Sequence, residues 1–218
     1  MLGRNACIFI AAFCLVGCDN TLRDIVDPVQ EVPVVPRQSE PLGFSKKLSD
    51  AALDRLKHTV IYNPTYLKIP YPGGDVPGYM GVCSDEVIRS YRALGIDLQK
   101  DVHEEMLAHF EAFPSRSRWG LQSTDTNIDH RRVPNLEVLF TRKGLSLKIS
   151  HNASEYLPGD LVTWRVQGRP HIGMMVNRKR RGQSRYMVVH NIGLGPQLED
   201  MLFDYPITGH YRYYGRGK

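Results

Sequence analysis

The sequence predicts an α+β domain in which N-terminal helices pack on an antiparallel β-sheet meander. Apolar residues recur at helical spacing through the first part of the chain, and from Tyr156 the period falls to two, with short turns between the alternating runs. Helices first and sheet second is the order of that class. A chain of 218 residues that is 42% hydrophobic buries one good core, and with no internal repeat visible it is read as one domain with appendages.

The appendages come first. Residues 1–17 read as a signal peptide: Arg4 supplies a short positive start, Ala6 to Val16 is an uncharged apolar run, and Leu15-Val16-Gly17-Cys18 follows. The run is too short to span a bilayer as an anchor. Its last four residues resemble the bacterial lipobox, which implies cleavage before Cys18 and lipid on that cysteine. The alternative is an ordinary signal peptide that ends in Cys. Asp19 resembles the mark that keeps some lipoproteins at the inner membrane, so the expected place is the cell envelope, facing the periplasm. Residues 18–47 contain Pro28, Pro33, Pro36 and Pro41 and no sustained period. At about 3.1 Å per residue in an extended state, such a tether reaches roughly 80 Å from the membrane. The folded domain is then residues 48–218.

The first expected helix is capped by Ser49 and Asp50, presents Leu53, Leu56 and Val60 on one face, and ends at Asn63-Pro64. A Gly/Pro-rich stretch from Tyr71 leads into the second, where Cys83, Val87, Tyr91 and Leu94 share the inward face and Gly95 closes the segment. Asp97 caps a third helix striped by Val102, Met106, Phe110 and Phe113 and stopped by Pro114. A polar loop, Ser115 to Arg132, is longer than connection alone requires and is a candidate cleft lining. Asn135 caps a short helix that ends near Gly144. Four strands follow: Leu161–Val166, His171–Val176, Tyr186–His190 and Ile207–Tyr214. Arg178-Lys179-Arg180-Arg181 falls between two of them and reads as a solvated hairpin loop.

The cysteine count narrows the chemistry. Cys7 and Cys14 leave with the signal peptide and Cys18 carries lipid, so Cys83 is the one thiol of the exported domain. A thiol at a helix N-terminus meets unpaired N–H groups and the positive end of the helix dipole, so its pKa is expected to fall. His171 shares a strand face with Gly173 and Met175, and His190 shares one with Val188 and Tyr186. With both faces turned toward the helix of Cys83, two imidazoles converge on one thiol. A thiolate then attacks an amide carbonyl, one histidine moves the proton, and another polar group holds that histidine in its tautomer.

Tyr71-Pro72-Gly73-Gly74, Gly81-Val82-Cys83-Ser84, Pro158-Gly159-Asp160-Leu161-Val162, His171-Ile172-Gly173 and Val189-His190 together resemble the motif set of NlpC-type papain-like cysteine peptidases. Asn127 to Asn135, His190 to Gly193 and Ile207 to Arg212 are similar to the exported YijF-like proteins within that superfamily. The resemblance spans residues 50–215. It implies a papain-like fold, hydrolysis of peptide bonds in cell-wall stem peptides, Cys83 as nucleophile, His171 as general base and acid, and His190 as the orienting residue. Tyr71 matches the tyrosine beside the nucleophile in those enzymes. They carry Asp just before the nucleophile, whereas this chain has Val82 there and Asp85 two residues after. Asp85, Trp119, Asp129, His130, Arg131 and Asn191 join Tyr71 as candidate substrate-binding residues.

Other readings stay open. Histidines 130, 151, 171, 190 and 210 with aspartates raise a metal hydrolase, but no pair has a familiar ligand spacing, so neither metal nor cofactor is expected. A non-catalytic wall-binding lipoprotein and an acyltransferase also fit the same scaffold. With 28 basic against 23 acidic residues, the net charge of +5 suits an anionic wall or membrane face. An exported chain with no recognised nucleic-acid motif is not expected to bind nucleic acid.

Overall fold

The computed structural model describes residues 43–215. The expected signal peptide, Cys18 and the expected tether up to residue 42 lie outside the described residues. In chain order the elements are α1 (Phe44–Arg55), β1 (Ile61–Tyr62), β2 (Met80–Gly81), α2 (Cys83–Arg92), α3 (Leu98–His109), α4 (Ser115–Trp119) and α5 (Val133–Lys143). The strands β3 (Leu145–Ser146), β4 (Leu161–Val166), β5 (Arg169–Lys179), β6 (Tyr186–His190), β7 (Gln197–Glu199) and β8 (Ile207–Arg212) follow. Those six form one sheet in the order β3-β8-β4-β5-β6-β7, and each neighbouring pair is antiparallel. The α+β class and the β4-β5-β6 meander are as expected.

Several local expectations are revised. Helix α1 begins at Phe44 rather than after Ser49, and Ser49 is buried inside it, where its hydroxyl accepts a hydrogen bond from the Asn177 amide at 2.8 Å. The chain leaves the helix at Arg55, so Ile61 and Tyr62 are free to pair with Met80 and Gly81. Asp97 caps α3 as expected, accepting from the amides of Gln99 and Lys100. Asn135 lies within the first turn of α5 rather than before it, buried, with its amide donating to the Asp129 carbonyl at 3.1 Å. The 115–132 segment holds α4 and a short 3-10 turn, Asp129–Arg131, in place of an open loop.

The sheet is buried on both faces, which places the site. Ile172, Met174 and Val176 of β5 join Cys83, Val87, Tyr91, Met106 and Leu139 in the core beneath the helices. Met175 points the other way, into a second core with Trp164, Tyr156, Val188 and Leu202. Alternation carries His171 and Gly173 with Met175. The two histidines therefore lie on the sheet face away from the helical layer, contrary to the expected orientation.

Candidate active site

Helix α2 starts at Cys83 because Asp85, at its third position, reaches back and accepts the Val82 amide at 2.6 Å. A carboxylate in the first turn also suits the helix dipole. Asp85 is buried and held by a two-pronged pair with Arg131, whose Nε and Nη2 each donate to one carboxylate oxygen at 2.9 Å. Arg131 also donates to the carbonyls of Asn63 and Thr65. Behind the helix, Arg89 donates to Asp75 and to the carbonyls of Val76, Pro77 and Met80, which fastens the Gly/Pro-rich approach. The helix start is thus clamped from both sides.

The Cys83 thiol is buried and takes a backbone hydrogen bond from Ile172, the residue after His171, as well as from Ser84 and its own amide. Strand β6 pairs with β5 only as far as His190 opposite Gly173, so the β5 edge at Ile172 lies beyond that pairing. Two buried histidines stand on the paired strands β5 and β6, on the sheet face away from α2. His171 Nε2 is 3.0 Å from His190 Nδ1, and His190 Nε2 is 2.9 Å from Glu199 Oε2. Because the carboxylate can only accept, His190 donates from Nε2 and accepts at Nδ1 from His171. That order leaves His171 Nδ1 as the free base. Gly173 lies opposite His190 and leaves room for it: a Cβ there would lie 3.0 Å from His190 Cβ and 2.7 Å from Val188 Cγ1.

The electrostatics oppose the sequence expectation for the thiol. Desolvation pushes Cys83 up to about 11, with the Asp85 charge acting in the same direction and outweighing what the backbone amides supply. Desolvation pulls His171 down to about 3, helped by His190, and lowers His190 as well. At neutral pH the resting site therefore holds a thiol and two neutral imidazoles rather than an ion pair.

Several of the candidate substrate-binding residues also have partners within the fold. Asp85 and Arg131 hold each other, and Asp129 is buried and accepts from Arg132 at 3.0 Å. His130 is buried, with its pKa pulled down to about 4 by desolvation and by Arg131. Asn127 and Gln99 fasten the 69–74 stretch through the Ile69 and Gly74 amides and the Pro70 carbonyl. The 127–132 segment braces this stretch, and Asn127 also lines a cavity with Tyr66 and residues 121–126. Asn191 is fully buried, and its side chain accepts from the Gly193 amide. Trp119 is exposed, with the Arg132 guanidinium 4.3 Å over its ring. Tyr71 packs edge-on against His103 at 4.8 Å. The Tyr62 phenol is pushed up first by burial and then by Cys83 in its ionised form.

Tyr62 and Glu199 are the residues that sequence reasoning missed. Glu199 belongs to a three-residue strand too short to show a period, and Tyr62 fell at the supposed end of a helix. Among the described residues, no group of three His, Cys, Asp or Glu side chains is placed to hold a metal ion.

Residues 49–213 match the family described as "Domain of unknown function (DUF1287)". The chain belongs to that family. It is 46% identical over 168 residues to "Uncharacterized protein YijF" of Escherichia coli (strain K12), covering 77% of this chain and 80% of that one. Among solved structures, "Structure of NlpC1 from Trichomonas vaginalis" aligns with 83% of this chain at 16% identity and a TM-score of 0.43. The chain spans about half the length of that protein, 48%.

The buried histidines of this DUF1287 domain are expected to make its stability acid-sensitive. His130 and His171 have folded pKa values near 4 and 3 against 6.5 when unfolded, so below pH 6.5 the unfolded chain binds the extra protons. Each is expected to remove about 1.4 kcal/mol of stability per pH unit as pH falls from roughly 6 toward 4. Urea midpoints measured between pH 7.5 and 4.5 check this; a flat series would mean that these rings protonate freely in the fold.

Proposed function

We propose that this DUF1287 domain hydrolyses amide bonds in bacterial cell-wall stem peptides, with Cys83 as nucleophile, His171 as base and acid, and His190 as the orienting residue. The observation that carries the reading is the 3.0 Å bond between the buried imidazoles of His171 on β5 and His190 on β6, with the next residue of β5, Ile172, donating its amide to a helix-start thiol. The motif resemblance to NlpC-type peptidases supplies the substrate class. In the reaction, Cys83 Sγ attacks the scissile carbonyl carbon as its proton passes to His171 Nδ1. His171 then protonates the leaving amine as the C–N bond breaks, leaving a thioester. Water gives a proton to His171, adds to the thioester and releases the carboxylate product and the thiol. With both partners neutral at rest, proton transfer accompanies attack rather than preceding it.

Burial of the thiol favours a second reading, a non-catalytic wall-binding module on the same fold. Digestion of purified peptidoglycan with the soluble domain, followed by mass analysis of released fragments, separates the two. New amine and carboxyl termini are the expected result; pull-down on the wall without cleavage supports the binding module.

His171 and His190 are expected to contribute unequally. Removing the base in His171→Ala should lower kcat roughly a hundredfold or more, whereas His190→Asn keeps a polar group beside His171 and should cost about tenfold. The opposite ranking, with circular dichroism unchanged, would mean that the two roles are reversed.

A further inference from the structure

We propose that the tip of the β5–β6 hairpin is a membrane contact, which docks on the phosphates of an anionic phospholipid bilayer. This contact does not depend on the catalytic reading. Strand β5 outruns its neighbours: its last bonds on the β4 side are made by Met175, and β7 pairs with β6 no further than Val188. Beyond those points the hairpin projects as a two-stranded ribbon, turned where the Gln183 amide donates to the Arg180 carbonyl at 2.9 Å. Residues 177–184 are all exposed.

The tip has charge of one sign. Arg178, Lys179, Arg180 and Arg181 are consecutive, and none forms an ion pair among the described residues. Lys179 Nζ lies 4.6 Å over the Tyr186 ring, and Asp200, across from the base of the ribbon, is closed on Arg185. With a net charge of +5, the chain concentrates most of its excess in these four residues, and the remainder is close to neutral. Four cations within about 10 Å, one Debye length, act on a surface as a unit. An anionic bilayer offers phosphates in a continuous plane, and three of the four are arginines, whose guanidinium forks match phosphate oxygens.

Docking by the tip also sets the height of the candidate site. His171 lies on the same strand as Lys179, roughly 25 Å away along it, so a bilayer under the tip leaves the histidine pair at the far end of the strand from the lipid. Helix α1, into which the expected tether leads, touches the base of the hairpin through the bond from the Asn177 amide to Ser49. The lipid expected on Cys18 would hold the domain at the same surface.

Co-sedimentation tests this with the chain from residue 18 onward, produced without lipid, and vesicles of about one-third phosphatidylglycerol in phosphatidylcholine. Binding should exceed that to pure phosphatidylcholine about tenfold or more, and should be lost at roughly 0.5 M salt. Arg180→Gln with Arg181→Gln should weaken it about tenfold or more, whereas Arg180→Lys with Arg181→Lys should keep most of it. Lys68→Gln with Arg118→Gln makes the same charge change at exposed residues outside the hairpin, and should cost less than about threefold. Equal losses in the two Gln pairs, or equal binding to both kinds of vesicle, would overturn the contact. Retention on purified peptidoglycan that needs Arg180 and Arg181, without vesicle binding, would assign the tip to the wall and overturn it as well.

Discussion

Cys83→Ala is expected to remove peptidoglycan hydrolysis, by a thousandfold or more, while leaving the fold and its urea midpoint nearly unchanged. Losing the nucleophile removes the covalent route entirely, whereas replacing a buried sulfur by hydrogen leaves a void smaller than a methyl group and costs about 1 kcal/mol. The neutral resting thiol gives this prediction a second signature. Below a pKa of about 11 the thiolate fraction rises tenfold with each pH unit, so iodoacetamide labelling of the wild type should climb steadily from pH 7 to 9. A labelling rate that is flat down to pH 5 would show a preformed thiolate, as the helix-start argument alone predicted. Labelling seen only in denaturant would sink the enzymatic reading.

The largest stability loss is expected at Arg131. Arg131→Met leaves the Asp85 carboxylate buried with no counter-charge, beside a thiol, and frees the 63–65 backbone that the guanidinium holds. Breaking a buried pair from one side costs about 3–5 kcal/mol, a large share of what a domain of this size has. Asp85 also caps α2, so the helix bearing the nucleophile should loosen as the pair opens. Urea unfolding measures the loss. Adding Asp85→Asn to Arg131→Met should recover part of it, since Asn keeps the cap and removes the stranded charge. If the single variant loses less than about 1 kcal/mol, the pair is solvated in solution and the clamp is not what holds the helix start.

Periodicity and turn chemistry in the sequence were enough for the α+β class, for the bounds of β4 and β6, for the helix that opens at Cys83, and for the lone thiol of the domain. Those features are local: each follows from residues within a turn or a strand of one another. Which way the histidines face was not local. Alternation ties His171 to Gly173 and Met175, but in a sheet with a core on each side it cannot say which side holds the helices. That orientation, and the meeting of Cys83 with the Ile172 backbone at the uncovered strand edge, came only with the packed sheet. The partners of the charged residues were equally invisible. Asp85 and Arg131 are 46 positions apart, and a sequence shows two surface-type residues where the fold closes one ion pair. The thiol pKa was misjudged for the same reason: the helix dipole is written in the sequence, but desolvation, the larger effect here, exists only once the surrounding layers have closed.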